Sequence, residues 1–369
     1  MSNRFRLSVS AAALSLLLAA GMTSAQAADV VPPAPGCGLN GSVMAGYMYN
    51  WQDSSTDVTL SDREVGTKDD IDFDGNPDWQ TPFAEGAALF TCHDLNIQGD
   101  FAWYDHKYDL QNFNDIDGKG DDLDQESKHV GAALFYREPD SFAAGLSGSR
   151  IGQNSDLFGG DKDAEIWRIG AFGEIYLGDT FTFGASAHYY ARDQLKESFG
   201  PGDITKDEDG FELAAWGRFY PTPNLSLTVR GDLLLPNADF GVHTDIPQLA
   251  GIDANWDIDD GWAVSGEAEY LVWNNGLTIL AGARYAERSF STEFTPDGGF
   301  TQLKTDSDIN DFQVYAGLKF YFDFGGNRTL VEDHRTGAID NTSVFHEKLP
   351  ELMSSAFAGV DDDLNPSQF

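Results

Sequence analysis

The residues best placed to do chemistry fall into two sets. The first is a series of charges that recur on alternate residues of mixed apolar and polar stretches. Arg168, Arg192, Arg218, Arg230, Arg284 and Lys319 form its basic side, and Asp100, Glu174, Glu212, Asp232, Glu267 and Glu269 its acidic side. Opposed arginines and carboxylates set a field across a narrow aqueous passage, or neutralise one another inside a filled one. His188 shares this face. The second set is the acidic run DDIDFDGNPDW over residues 69–79. There Asp70, Asp72, Asp74 and Asp78 are spaced to converge on a hard cation, calcium being the candidate, with Gly75 at the sharp turn. Thr81 stands where a bidentate Glu would complete such a loop. Asp115, Asp117 and Asp121 repeat the flavour further on, and the competing reading of both runs is a solvated acidic loop. Ser186 and His188 lie two apart, but nucleophilic catalysis also needs an orienting third group, and none follows. His243, between Asp239 and Asp245, is an equally thin signal. No enzymatic activity is expected.

These residues must be positioned by strands. Residues 311–324 read DFQVYAGLKFYFDF. Phe312, Val314, Ala316, Leu318, Phe320, Phe322 and Phe324 fall on one face, and Gln313, Lys319 and Asp323 on the other. That period of two marks a strand between two different environments. The same alternation recurs over residues 39–51, 84–91, 95–104, 130–136, 142–151, 166–177, 181–192, 211–220, 225–235, 262–273 and 277–287. Short joints rich in Asn, Asp, Gly and Pro connect these strands in pairs. Long acidic stretches, the first over residues 52–82, connect the pairs. The count is about twelve strands, with every long connection at one end.

The apolar face is banded. Phe90, Tyr136, Phe142, Phe181, Phe219 and Tyr270 lie near the short joints, and Trp51, Trp103, Trp167, Tyr189, Phe211 and Trp262 near the long loops. Val43, Ala132, Leu134, Ala187, Leu213 and Ile279 lie between them. Two aromatic belts around an aliphatic band match a bilayer with two interfaces. Charges on the opposite face then belong to a lumen, because charge facing lipid is costly.

The chain has 369 residues and a formal charge of −37, which excludes a nucleic-acid surface. Residues 1–27 read as a signal peptide, with Arg4 and Arg6, an apolar stretch and Ala25-Gln26-Ala27 at the cleavage site. Residues 28–38 form a Pro-rich arm, and residues 325–369 a tail whose amphipathic stretch 344–360 is interrupted by Pro350. The tail reads as disordered, as a plug or as a contact with the cell wall. An oxidising compartment favours pairing the two cysteines, Cys37 and Cys92, because adjacent antiparallel strands bring the base of the first and the end of the second together.

Gly317, followed by Phe320 and Phe322, resembles the closing-strand assembly signal of Gram-negative outer-membrane β-barrels, although here a tail follows it. The start ADVVPPAPG resembles that of alphaproteobacterial surface barrels, and residues 70–78 are similar to the early positions of an EF-hand loop. The resemblance implies an all-β fold: a transmembrane antiparallel up-and-down β-barrel of about twelve strands, with short periplasmic turns and long acidic extracellular loops. The barrel would span residues 39–324, with both termini periplasmic. The expected function is a porin for small hydrophilic solutes or ions, with a modest cation preference and the twelve lumen residues His188, Arg168, Glu174, Arg192, Glu212, Arg218, Arg230, Asp232, Glu267, Glu269, Arg284 and Lys319 lining the pore. The alternative is a non-conducting surface barrel whose loops bind divalent cations, lipopolysaccharide or a protein. Expected partners are outer-membrane lipid, lipopolysaccharide, the barrel-assembly machinery and, in a homo-oligomer, further copies of the chain.

Overall fold

The structure, a computed structural model, describes residues 37–62, 67–75, 78–109, 124–155, 162–199, 202–244, 252–258, 260–273, 276–296, 302–322 and 329–349. The expected signal peptide and most of the expected Pro-rich arm lie outside these residues, as do Asp115, Asp117 and Asp121. Twelve strands go round the barrel: β1 (Cys37–Asp62), β3 (Asp78–Cys92), β4 (Leu95–Asp109), β5 (Asp124–Glu138), β6 (Phe142–Ser155), β7 (Lys162–Leu177), β8 (Phe181–Phe199), β9 (Gly202–Thr222), β10 (Leu225–Thr244), β12 (Gly261–Trp273), β13 (Leu277–Pro296) and β14 (Gln302–Phe322). β2 (Thr67–Gly75) and β11 (Ile252–Ile258) are additions at the long-loop end, paired with β1 and β13. Neighbours are antiparallel throughout, and β14 closes the sheet on β1 from Gly41 opposite Phe322 to Ser61 opposite Gln302.

Period-two alternation sorts the side chains. Val130, Leu134, Leu146, Ile169, Val229 and Leu318 are more than half exposed on the outside. The same outer face carries Phe90, Tyr136, Phe181 and Phe320 toward the short turns, and Trp51, Trp167, Phe211 and Trp262 toward the loops. A water-soluble sheet cannot leave so large an apolar surface uncovered, whereas a bilayer covers it. The short turns use residues that tolerate a left-handed backbone: Gly178 and Gly276 have φ of 52° and 95°, and His93 has φ of 58°. Cys37 lies opposite Cys92 in the β1–β3 register, and the two form the expected disulfide.

One expectation about the strands is corrected here. Residues 52–82 are not an irregular loop, because β1 continues to Asp62 and β2 folds back on it. Likewise β9 and β10 stay paired out to Gly202 opposite Thr244. The polar Thr, Ser and Asp runs there satisfy their backbone groups by pairing, so the strands outlast the apolar pattern that revealed them. Of the calcium candidates, Asp70, Asp72 and Asp74 lie on the extended backbone of β2, and Asp78 opens β3.

Of the three readings of the tail, the structure shows that of a plug: residues 329–349 lie inside the barrel. Helix α1 (Leu330–Thr336) begins with Thr329 capping the Glu332 N–H at 3.2 Å, as in the first half of a capping box. An extended stretch follows, and then a five-residue π-helical turn, Val344–Lys348, whose Ser343 side chain accepts from the His346 N–H.

Candidate functional site

The candidate site is the lumen together with the segment that fills it. The segment enters at the short-turn end. The Leu330 N–H donates to Pro223 O at 2.8 Å, between β9 and β10, and Leu330 packs with Leu271 and Tyr321. Arg335 is buried, donates to Gly178 O and to Phe181 O of the β7–β8 turn, and lies over the Tyr176 ring. His334 is held from both sides. Its Nε2 is 2.9 Å from Glu269 Oε2 and its Nδ1 3.1 Å from the Tyr220 hydroxyl. A neutral ring that donates through Nε2 and accepts at Nδ1 satisfies both contacts. Burial, with Arg218 nearby, pushes the His334 pKa down to about 4.

Midway, Ile339 joins Leu89, Phe135 and Phe172 on the inner wall. The Gln98 side chain bonds its backbone twice, donating to Ile339 O and accepting from Ile339 N–H, each at 2.8 Å. Arg168 of β7 then organises the crossing. It reaches Glu212 Oε2 at 2.6 Å and Asn341 O at 3.0 Å, with Glu347 Oε1 at 3.8 Å. Glu347 Oε1 also meets His129 Nδ1 at 2.9 Å, and His129 Nε2 meets Asp100 Oδ2. The Ser343 hydroxyl donates to Glu212. Strands β4, β5, β7 and β9 therefore meet the segment in one polar network.

At the long-loop end Val344, Phe345 and Leu349 enter an inward apolar patch of Ile151, Ile166, Tyr190, Leu234, Ala263 and Ala286. Burial also lowers the His346 pKa, against the opposing pull of Glu212 and Glu208. Cavities of about 90 Å³, lined partly by Arg218, Glu267 and Tyr315, and about 10 Å³, beside His188 and Ser343, remain next to the segment. Each is far smaller than the lumen of an open channel.

All twelve residues expected to line a pore do face the interior, yet they meet partners rather than an open passage. Arg192 pairs with Glu208 at 3.3 Å, Arg230 with Asp232 at 2.8 Å, and Arg284 donates to Gln313 at 2.8 Å. Glu174 accepts from Trp216 Nε1 and Glu267 from Tyr315, and Lys319 lies over the Tyr321 ring. Arg218 donates to Thr228 Oγ1, and Glu269 accepts from Tyr321 as well as from His334. His188 Nε2 lies 2.8 Å from Ser147 Oγ, so its partner is not Ser186. Of the assembly residues, Gly317 lies opposite Gly46 at the seam, Phe320 faces outward, and Phe322 covers Gly41. Sequence reasoning missed the apolar patches on the inner wall. The signal was present, because Ile151, Ile166, Leu234 and Phe172 are apolar at positions that face inward, where a water-filled pore has no use for them.

The closed antiparallel sheet, its apolar outer band and its charged interior define a membrane-spanning β-barrel of the bacterial outer-membrane type. No family model and no curated relative matches the chain. Among solved structures it is similar to a Pseudomonas aeruginosa FadL homologue at 10% identity, covering 76% of this chain and 90% of that one, with a TM-score of 0.43. It is similar to a mutant of the TodX monoaromatic hydrocarbon channel at 11% identity, covering 79% and 91%, with a TM-score of 0.41. The translocator domain of the autotransporter NalP from Neisseria meningitidis matches at 10% identity over 86% and 96%, with a TM-score of 0.38.

Proposed function

We propose that this barrel is an outer-membrane channel for small hydrophilic solutes or ions, closed by its own residues 329–349. The observation that carries the reading is how the segment is attached. Among the described residues its one backbone-to-backbone bond to the wall is Leu330 N–H to Pro223 O. The other hydrogen bonds use wall side chains or, from Arg335, the carbonyls of Gly178 and Phe181 at the β7–β8 turn, so the segment can withdraw without breaking a rung of the barrel. Withdrawal leaves a lumen lined by Arg168, Arg230, Glu212 and Glu267. Export by residues 1–27, an outward orientation of the long loops, periplasmic termini, and recognition of β14 through Gly317, Phe320 and Phe322 by the assembly machinery belong to the same proposal.

The long-loop mouth supplies a modest cation preference. Asp53, Asp57, Asp62, Glu64, Asp69, Asp70, Asp72, Asp74 and Asp78 outnumber Arg63 and Lys68 there. Such a mouth enriches cations within a Debye length, about 10 Å at 0.1 M salt. Purified full-length protein in a planar bilayer tests the reading: rare openings are expected, with cation-selective reversal in a KCl gradient. The second reading is a permanently filled, non-conducting surface barrel. The interlocked Arg168–Glu212 and His129–Glu347 contacts favour it, and complete absence of openings, including after the segment is loosened, would establish it.

A further inference from the structure

We propose that the lumen is a binding passage for short peptides, occupied at rest by residues 336–349 as the chain's own stand-in. This inference rests on the gated-channel reading and names what enters it. Its basis is what the wall recognises. Asn40 donates to Thr336 O at 2.8 Å, Arg137 to Gly337 O at 2.7 Å and Gln98 to Ile339 O at 2.8 Å. Arg168 donates to Asn341 O at 3.0 Å, Gln153 to His346 O at 2.7 Å and Gln313 to Lys348 O at 2.9 Å. These donors sit on six different strands and run from the short-turn end to the long-loop end. Every one of them reads a main-chain carbonyl, a group that all residue types share, so any polypeptide of suitable length presents the same row. A sugar or an inorganic ion does not.

Side-chain preference is added at the long-loop end. Phe345 and Leu349 fill the apolar patch, while the Glu347 carboxylate lies between His129 and Arg168. The preferred peptide therefore carries an aromatic residue, an acid two residues later and an aliphatic residue two beyond that.

The test uses the full chain carrying Phe345→Ala and Glu347→Gln, and a labelled synthetic peptide of residues 336–349, TGAIDNTSVFHEKL. The tethered segment competes with added peptide at an effective concentration in the millimolar range. Fluorescence anisotropy should therefore show at least tenfold tighter peptide binding to the loosened chain than to the unaltered one. The same peptide should block openings of the loosened chain in a planar bilayer, and a shuffled peptide should bind at least tenfold more weakly. Adding Gln98→Ala to the loosened chain should weaken binding several-fold. Heat-modifiable electrophoretic mobility verifies the folded barrel; if the double variant lacks it, Phe345→Ala alone gives the same comparison with a smaller difference. Openings without peptide binding or block overturn the peptide assignment and leave the channel standing, and equal binding of the shuffled peptide overturns the side-chain preference alone. Neither openings nor binding in the folded variant removes both.

Discussion

Phe345→Ala is the sharpest probe of the closed state. Phe345 is 5% exposed and packs among Ile151, Ile166, Tyr190 and Leu234 at the long-loop end. A Cβ placed at Gly261 would come within 3.3 Å of its ring, so the wall fits closely around it. Truncating a buried Phe to Ala costs about 3–5 kcal/mol in a packed core. The lower figure suits this site, because the segment can settle slightly toward the vacated space. About 3 kcal/mol corresponds to roughly a hundredfold change in the ratio of docked to withdrawn segment. The barrel itself should keep its stability, because the segment contributes no strand to it. Two readouts separate these effects: single-channel recording should show the open fraction rise about a hundredfold, and heat-modifiable mobility should show an unchanged melting point of the sheet. An open fraction unaltered within a factor of three, with the barrel intact, would refute the claim that the apolar patch holds the segment.

Acid should also release the segment. The docked His334 pKa, about 4, lies below the ordinary value of 6.5 that it regains on withdrawal, so the withdrawn state binds more protons between those values. Docking is therefore complete above pH 6.5, weakens as pH falls toward 4 and loses about 3 kcal/mol across that window. The groups facing His334, namely Glu269, Arg218, Lys319, Tyr220 and Tyr321, belong to the wall and stay in place. Bilayer recordings between pH 7 and 4 should show more openings on acidification, and His334→Gln should shrink that increase to the part contributed by His346. Replacing Cys37 and Cys92 with Ser removes a link across a sequence separation of 55, worth about 4 kcal/mol on the chain-entropy model, and should lower the urea midpoint. Epitope tags inserted within residues 110–123 should be reachable on intact cells, and a tag after Phe369 should not.

The barrel was legible in the sequence because a bilayer imposes a simple code. Trp167, Ile169 and Ala171 alternate with Arg168 and Gly170 in a way that only a strand between two solvents requires. The disulfide was legible for the same reason, because hairpin order alone brings Cys37 and Cys92 together. Strand ends were not legible. Beyond Trp51 the outer face meets water rather than lipid, so alternation fades while backbone pairing continues to Asp62. The filled lumen was hidden for a different reason. The contact of Glu347 with His129 spans 218 positions and has no local period. What did stand in plain view was the mixture on the inner face, where Leu89 and Ile166 sit among charges. A passage holding only water would carry neither.

With the long loops outward, as proposed, the seam between β1 and β14 shapes what the outside world meets first. From Gly41 to Ser61 the two strands stay in register against Phe322 to Gln302. At about 3.3 Å per residue that ladder is roughly 65 Å long, or about 50 Å along the membrane normal at a 40° tilt. The hydrocarbon band accounts for about 25 Å of it. Roughly half of the ladder therefore stands clear of the bilayer as a stiff, acidic ribbon, flanked by β2 beside β1 and by β13 beside β14. Antibodies raised against linear peptides from this region should bind the native protein poorly. Those selected on the folded molecule should recognise residues 54–62, 67–75 and 302–308 together, because hydrogen bonding makes them one surface.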